Sequence, residues 1–271
     1  MPKYFDIHSH LNLPDYSEDL EEVINRLKET ETHTIVVGVD FESSKRAVEL
    51  AEKHEEIYAC IGVHPADNPK ATFNTPLPTL PLIRGGQGWG ELMKHPKVVA
   101  IGECGLDFFH IDKTIDFERQ KNLFFEQINF AIKYNKPIMI HSRDAYEEIL
   151  EILEPLAKLY GPKLRGDLHF FTGSLEQAKR FWTIGFTTSF TGVITFARDY
   201  DEVIKNAPLN MIMSETDAPW VSPVPYRGKR NEPSYVSEVV KKIAEIRGED
   251  LETVQKALVS NTCRMFNLVL K

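Results

Sequence analysis

A single (β/α)₈ barrel of the α/β class, with extra helices after its last strand, is the fold this sequence predicts. Three observations predict it. Eight short apolar runs alternate with segments of helical periodicity. Residues able to bind metal ions stand at the C-terminal ends of several of those runs, and barrel active sites lie on that face. The chain has 271 residues, 42% of them hydrophobic, which is enough for one large barrel core. No linker, internal repeat or low-complexity tract divides it, so residues 1–271 read as one domain. A doubly wound open sheet shares the alternation, which by itself does not prove closure.

In chain order, Tyr4, Phe5 and Ile7 mark a first strand that ends at His8, and a helix-like stretch runs from Ser17 to about Thr30. Thr34 to Val39 is a continuous apolar run of the kind found in buried parallel strands. A helix with Ala47, Val48, Leu50 and Ala51 on its apolar side follows. Strands three, four and five are read at Ile57–Val63, Val98–Ile101 and Pro137–Ile140. Helical stripes follow the last two, through Phe117, Leu123, Phe124 and Ile128, and through Ile149, Ile152, Leu153 and Leu156. Gly166–His169 is strand six, and Ser174 with Gln177 forms a capping-box signature for the next helix. Phe186–Phe190 and Asn210–Met213 are strands seven and eight, and helices are predicted at Ser234–Arg247 and Asp250–Ser260, with a turn at Cys263–Leu268. The stretch from about Pro65 to Pro96, rich in proline and glycine, reads as a long loop after strand three on the active-site face.

A net charge of −8 argues against an extended basic face for duplex DNA and leaves room for a local basic lip. Cys60, Cys104 and Cys263 are odd in number and widely spaced, which predicts a reducing compartment. With no leader-like start and no apolar run of membrane-spanning length, the expected location is cytoplasmic, with no membrane and no obligate protein partner.

His8 and His10 are two apart on a strand, so both imidazoles emerge on one side. A barrel brings Glu103 at the end of strand four, His141 after strand five, His169 after strand six and Asp217 after strand eight to the same face. Each has an ordinary explanation alone, as a bonded core histidine or a helix-capping carboxylate. Six metal-ligand residues at five strand ends together point to a metal centre. His64 and His110 follow strands three and four and rank behind these; His33, His54 and His95 read as solvated surface.

The motifs Asp6–His10, Gly62–Pro65, Gly102–Asp107, His141–Ala145, Glu215–Pro219 and Tyr226–Pro233 run nearly end to end. In this set the chain resembles the TatD-type metal-dependent DNases of the amidohydrolase-like barrels. His169-Phe170-Phe171-Thr172-Gly173 departs from the family's usual H-C-F-S-G and keeps the histidine. The resemblance implies a metal-dependent hydrolase of phosphodiester bonds, exonuclease-like on single-stranded or frayed DNA, with two divalent ions. It places His8, His10 and Asp217 on one ion, His141 and His169 on the other, and Glu103 as the bridge, with Asp217 also the general base. Mixed imidazole and carboxylate donors suit Zn²⁺, Mn²⁺ or Fe²⁺, while the resemblance favours Mg²⁺ or Mn²⁺. Hydrolysis of a small-molecule amide or ester is the alternative enzyme reading, and a nucleic-acid-binding protein with a relic site the non-enzyme one.

Arg143 shares the strand face of His141, and its planar fork suits a phosphate. Asp107 and His64 are placed with it as substrate contacts. Arg227, Lys229 and Arg230 form a compact basic cluster that would serve as a phosphate-binding lip, and Tyr226, Trp220 and Phe108 could stack bases. Asp6 and Glu215 are expected to orient the metal-bound histidines from behind.

Overall fold

The computed structural model describes residues 1–66, 87–109 and 113–269. Eight parallel strands follow one another in chain order around the sheet, β1 Tyr4–Ser9, β2 Thr32–Val37, β3 Ile57–Ile61, β4 Val98–Asp107, β5 Ile138–Arg143, β6 Gly166–Leu168, β7 Phe186–Phe190 and β8 Ile212–Ser214. Closure comes from the chain just past β8. Ser9 bridges Ala218, the Asp217 N–H donates to the His8 carbonyl at 2.9 Å, and the His10 N–H donates to the Ala218 carbonyl at 2.8 Å. The sheet is therefore a barrel, and the open-sheet alternative falls. Phe5 and Ile7 of β1 share one buried cluster with Met139 of β5, and strands on opposite sides of an eight-membered ring meet only through its interior. Val259, Met265 and Phe266 belong to the same cluster. The larger apolar cluster joins the strands to the surrounding helices.

The helices are α1 Leu20–Glu29, α2 Phe41–Lys53, α3 Gln87–Leu92, α4 Lys113–Tyr134, α5 Tyr146–Tyr160, α6 Leu175–Thr183, α7 Asp201–Asn206, α8 Val236–Arg247 and α9 Leu251–Phe266. The Ser174–Gln177 capping box opens α6 as predicted, and Asp40 with Ser43 forms a second one before α2. Four readings need correction. β4 runs on through the Gly102–Asp107 motif, because those residues pair with β5 as far as Asp107 against Arg143. The helix and turn predicted at the C-terminus are one helix, α9. The predicted loop at 65–96 contains α3, whose Trp89 is buried against Phe41; its central part, residues 67–86, lies outside the described residues, as does His110. His33 is a β2 residue packed against the Phe5 and Tyr58 rings rather than a solvated surface group.

Two buried glutamines on α4 hold the strand ends that carry site residues. Gln120 exchanges a pair of 2.8 Å bonds with the backbone of Asp107, and Gln127 a pair of 2.9 Å bonds with that of Val63, next to His64. They are two helical turns apart on one face, so one rigid helix sets the height of both strand ends.

Candidate metal centre

The six expected ligand residues converge at the C-terminal mouth. The Nε2 atoms of His8 and His10 lie 3.1 Å apart, and Asp217 Oδ1 is 3.8 and 3.6 Å from them. On the other side, His141 Nδ1 and His169 Nε2 lie 3.3 Å apart. Glu103 stands between the pairs. Its Oε2 is 3.4 and 3.7 Å from the Nε2 atoms of His8 and His10, and its Oε1 is 2.8 and 2.7 Å from His141 Nδ1 and His169 Nε2. Nitrogens bound to one ion at ~2.0–2.1 Å stand roughly 3.0–3.4 Å apart, so both nitrogen pairs have the spacing of ligands sharing a cation. Asp217 has a left-handed backbone at φ 54°, which a short polar side chain tolerates, and the hydrogen bond from its N–H to His8 locks it there.

The protonation chemistry fits a cation-binding set as well. Burial opposes charge on Glu103, but His169, His64 and His8 outweigh it and hold the carboxyl well below the usual carboxylate range. Burial also opposes a charged His169, yet Glu103 and Glu215 push that imidazole well above its ordinary value. His10 and His141 rise against the same burial, led by hydrogen bonds to Asp217 and Asp107. His8 goes down, through burial and then the neighbouring His169. The buried carboxylates thus draw protons onto the imidazoles. A divalent cation would replace that positive charge and release those protons. Behind the donors, His8 Nδ1, His169 Nδ1 and Glu215 Oε2 have no hydrogen-bond partner, although the carboxylate oxygen is 3.8 and 3.6 Å from the two nitrogens.

A family model for TatD-related DNases matches residues 5–267. The chain belongs to this TatD family. It is 42% identical to the uncharacterized metal-dependent hydrolase YabD of Bacillus subtilis over 269 residues, 97% of this chain and 99% of the relative. It is 30% identical to an Escherichia fergusonii protein named 3′-5′ ssDNA/RNA exonuclease TatD, covering 97% of this chain and 99% of the other. The crystal structure of YjjV, a TatD homologue from Escherichia coli, superposes with a TM-score of 0.87 at 30% identity, over 98% of this chain and 99% of that one. The chain is accordingly a TatD-family metal-dependent hydrolase on a TIM barrel.

Around the TatD donor set the remaining expectations sort differently. Glu215 Oε2 faces two ring nitrogens without a hydrogen bond to either, and its Oε1 accepts from the Phe170 N–H and from Ser189 Oγ. Asp6 does not back a ring. Its carboxylate accepts from Thr216 N at 2.8 Å, Thr216 Oγ1 at 2.7 Å, Thr34 Oγ1 at 3.3 Å and the His8 N–H at 3.3 Å. It pins β1 to β2 and to the chain after β8. Asp107, expected to touch substrate, holds His141 Nε2 at 3.0 Å with one oxygen and accepts from the Phe109 N–H with the other. His64 sits edge-on to His141, ring centroids 4.4 Å apart, with its Nε2 3.7 Å from Glu103 Oε1.

The lip is less basic than expected. Arg143 lies over Phe109, 3.6 Å from the ring centroid, and lines the metal cavity together with Trp220. The 227–230 cluster is dispersed. Arg227 lies over Phe196, Arg230 is tied to Asp19 and lies over Tyr16, and Lys229 is exposed. Tyr226 is already stacked on Tyr235 at 3.8 Å, and Phe108 packs against Phe117. None of these lines the cavity. Asn231, part of the Tyr226–Pro233 motif but given no role there, has a fully buried amide that donates to the carbonyls of Thr216 and Trp220 and so braces the Asp217 loop.

Proposed function

We infer that the protein is a two-metal phosphodiesterase that trims single-stranded or frayed DNA from an end. The observation that carries this is Glu103, with one carboxylate oxygen toward each nitrogen pair. His8, His10 and Asp217 would hold one divalent ion, His141 and His169 the other, and Glu103 would bridge them. Such a pair supplies Lewis acidity to the attacking and leaving oxygens of an in-line displacement and acidifies water. Asp217 lines the cavity and takes the proton from the attacking water as its oxygen bonds to phosphorus and the P–O bond to the leaving nucleoside breaks. His64 stands edge-on to His141 at the cavity wall, where it would lie beside a bound phosphate. Arg143, which lines the same cavity, would supply a fixed positive charge to the phosphate.

Five of the six donors, all but His8, line the floor of a cavity of about 620 Å³. A free strand end reaches such a floor more readily than a base-paired duplex. The relative named as an ssDNA/RNA exonuclease supports nucleic acid as the substrate class. No helix among the described residues is long and apolar enough to cross a membrane, in keeping with a cytoplasmic nuclease. The test is chelation, reloading with Mg²⁺ or Mn²⁺, and incubation with end-labelled single-stranded DNA. Stepwise, metal-dependent shortening is expected. A reloaded protein that leaves every nucleic acid intact and opens a lactone or amide would overturn the reading.

A further inference from the structure

A row of buried polar side chains runs from the metal donors back into β6 and β7. Asp167 stands two residues before His169. The His169 N–H continues the β6 ladder by donating to the Ile140 carbonyl at 3.0 Å, so both side chains leave the strand on one face. Asp167 Oδ1 accepts from Thr187 Oγ1 at 2.8 Å, and its Oδ2 lies 2.5 Å from Ser189 Oγ. Ser189 Oγ also lies 3.1 Å from Glu215 Oε1. All four side chains are buried. A buried hydrogen-bonded set gains little over apolar groups of the same shape, so the row calls for a reason beyond stability.

The row ends where the metal centre has open hydrogen-bonding capacity. Glu215 Oε1 is held by Ser189 and by the Phe170 N–H, and Oε2 is left facing His8 Nδ1 at 3.8 Å and His169 Nδ1 at 3.6 Å. Those three facing atoms are buried and have no hydrogen-bond partner. A neutral imidazole that gives one nitrogen to a cation carries its hydrogen on the other. With ions held at Nε2, both rings would present an N–H to Glu215 Oε2. One donor on Oε1 leaves the carboxylate free to rotate about that contact; a second donor fixes its plane. We propose that Ser189 and Asp167 are positioning residues of the metal centre. Asp167 holds the Ser189 hydroxyl, Ser189 holds Glu215, and Glu215 so oriented serves one histidine of each nitrogen pair. This rests on the two-ion reading above and carries it two residues deeper into the fold.

Calorimetric titration of metal-stripped protein with Mn²⁺ reads the effect without turnover. Ser189→Ala removes one oxygen and is expected to weaken both cation affinities together by about 10-fold, the lower end of what partners behind metal-bound histidines are worth. Asp167→Leu should do the same. Asp167→Asn offers an N–H to the Ser189 oxygen and leaves the hydroxyl hydrogen for Glu215, so its affinities should stay near wild type. A double variant tests the route. Because Ser189 acts through Glu215, Ser189→Ala should add nothing to the loss caused by Glu215→Gln. Fully additive losses overturn the proposal, as do unchanged affinities in Ser189→Ala. Urea unfolding in chelator runs alongside. A Ser189→Ala protein that loses stability and keeps both affinities has lost packing alone, and the proposal falls. Should Asp167→Leu fail to fold, Asp167→Asn still decides, since weakened affinities there overturn the role given to Asp167. A wild-type isotherm with a single Mn²⁺ overturns the two-ion reading itself, and the joint effect on both pairs with it.

Discussion

His8 and His169 stack face to face, ring centroids 3.9 Å apart and planes inclined by 14°, although one comes from β1 and the other from the end of β6. Each belongs to a different nitrogen pair. Glu215 Oε2 sits behind both, within 3.8 Å of each Nδ1. One carboxylate oxygen therefore faces a ring nitrogen on each side of the centre.

Glu215→Gln should accordingly weaken both cation sites together. Partners behind metal-bound histidines are worth about 10–100-fold in affinity. Calorimetric titration with Mn²⁺ is the measurement. Loss confined to one of two sites would show that Glu215 serves a single histidine.

Glu103→Ala removes the group that faces both pairs, so total metal content and activity should fall together. Asp217→Asn retains an oxygen donor, and His8 and His10 remain. Most of the metal should stay under saturating supply while kcat falls by ~10²–10⁴-fold or more, the usual worth of a general base. Elemental analysis beside single-turnover rates checks both variants. A metal-replete Asp217→Asn protein at near wild-type rate would exclude Asp217 as the base.

Asp107 orients His141 through its distal nitrogen. Asp107→Ala should weaken one of two cation sites by ~10–100-fold, with Asp107→Asn, which keeps an acceptor, recovering much of the loss. Site-resolved Mn²⁺ affinities decide this. A raised KM for DNA with both affinities intact would restore Asp107 to the substrate-contacting role expected from the sequence.

Asp6 gathers four donors in a fully buried position. Removing the shared acceptor strands them, at ~1–3 kcal/mol for a buried donor left unpaired. Asp6→Ala should cost about 2–4 kcal/mol, allowing some donors to find new partners. Urea unfolding in chelator measures this free of metal linkage. A change below ~0.5 kcal/mol, the range of ordinary surface substitutions, would mean the barrel closure does not depend on this pin.

The order of the strands, the barrel and the gathering of six histidine and carboxylate side chains at one mouth were legible in the sequence. Burial imposes a local period on strands and helices, and parallel strands present their C-terminal ends to one face, so position in the chain already assigns a residue to that face. What period cannot say is what stands opposite. Asp6 and Asp107 both departed from their expected roles, because their partners, Thr216 and His141, are 210 and 34 residues away in the chain. The basic run at 227–230 reads as one cluster, yet Arg230 is claimed by Asp19, 211 residues away. Gln120 and Gln127 look like ordinary polar residues until the helix carrying them is packed against unpaired backbone groups. Which nitrogen of each histidine faces the centre, Nδ1 for His141 and Nε2 for His8, His10 and His169, was likewise decided by tertiary packing. A ring can present either nitrogen, and the direction of its strand end and the acceptor behind it select one.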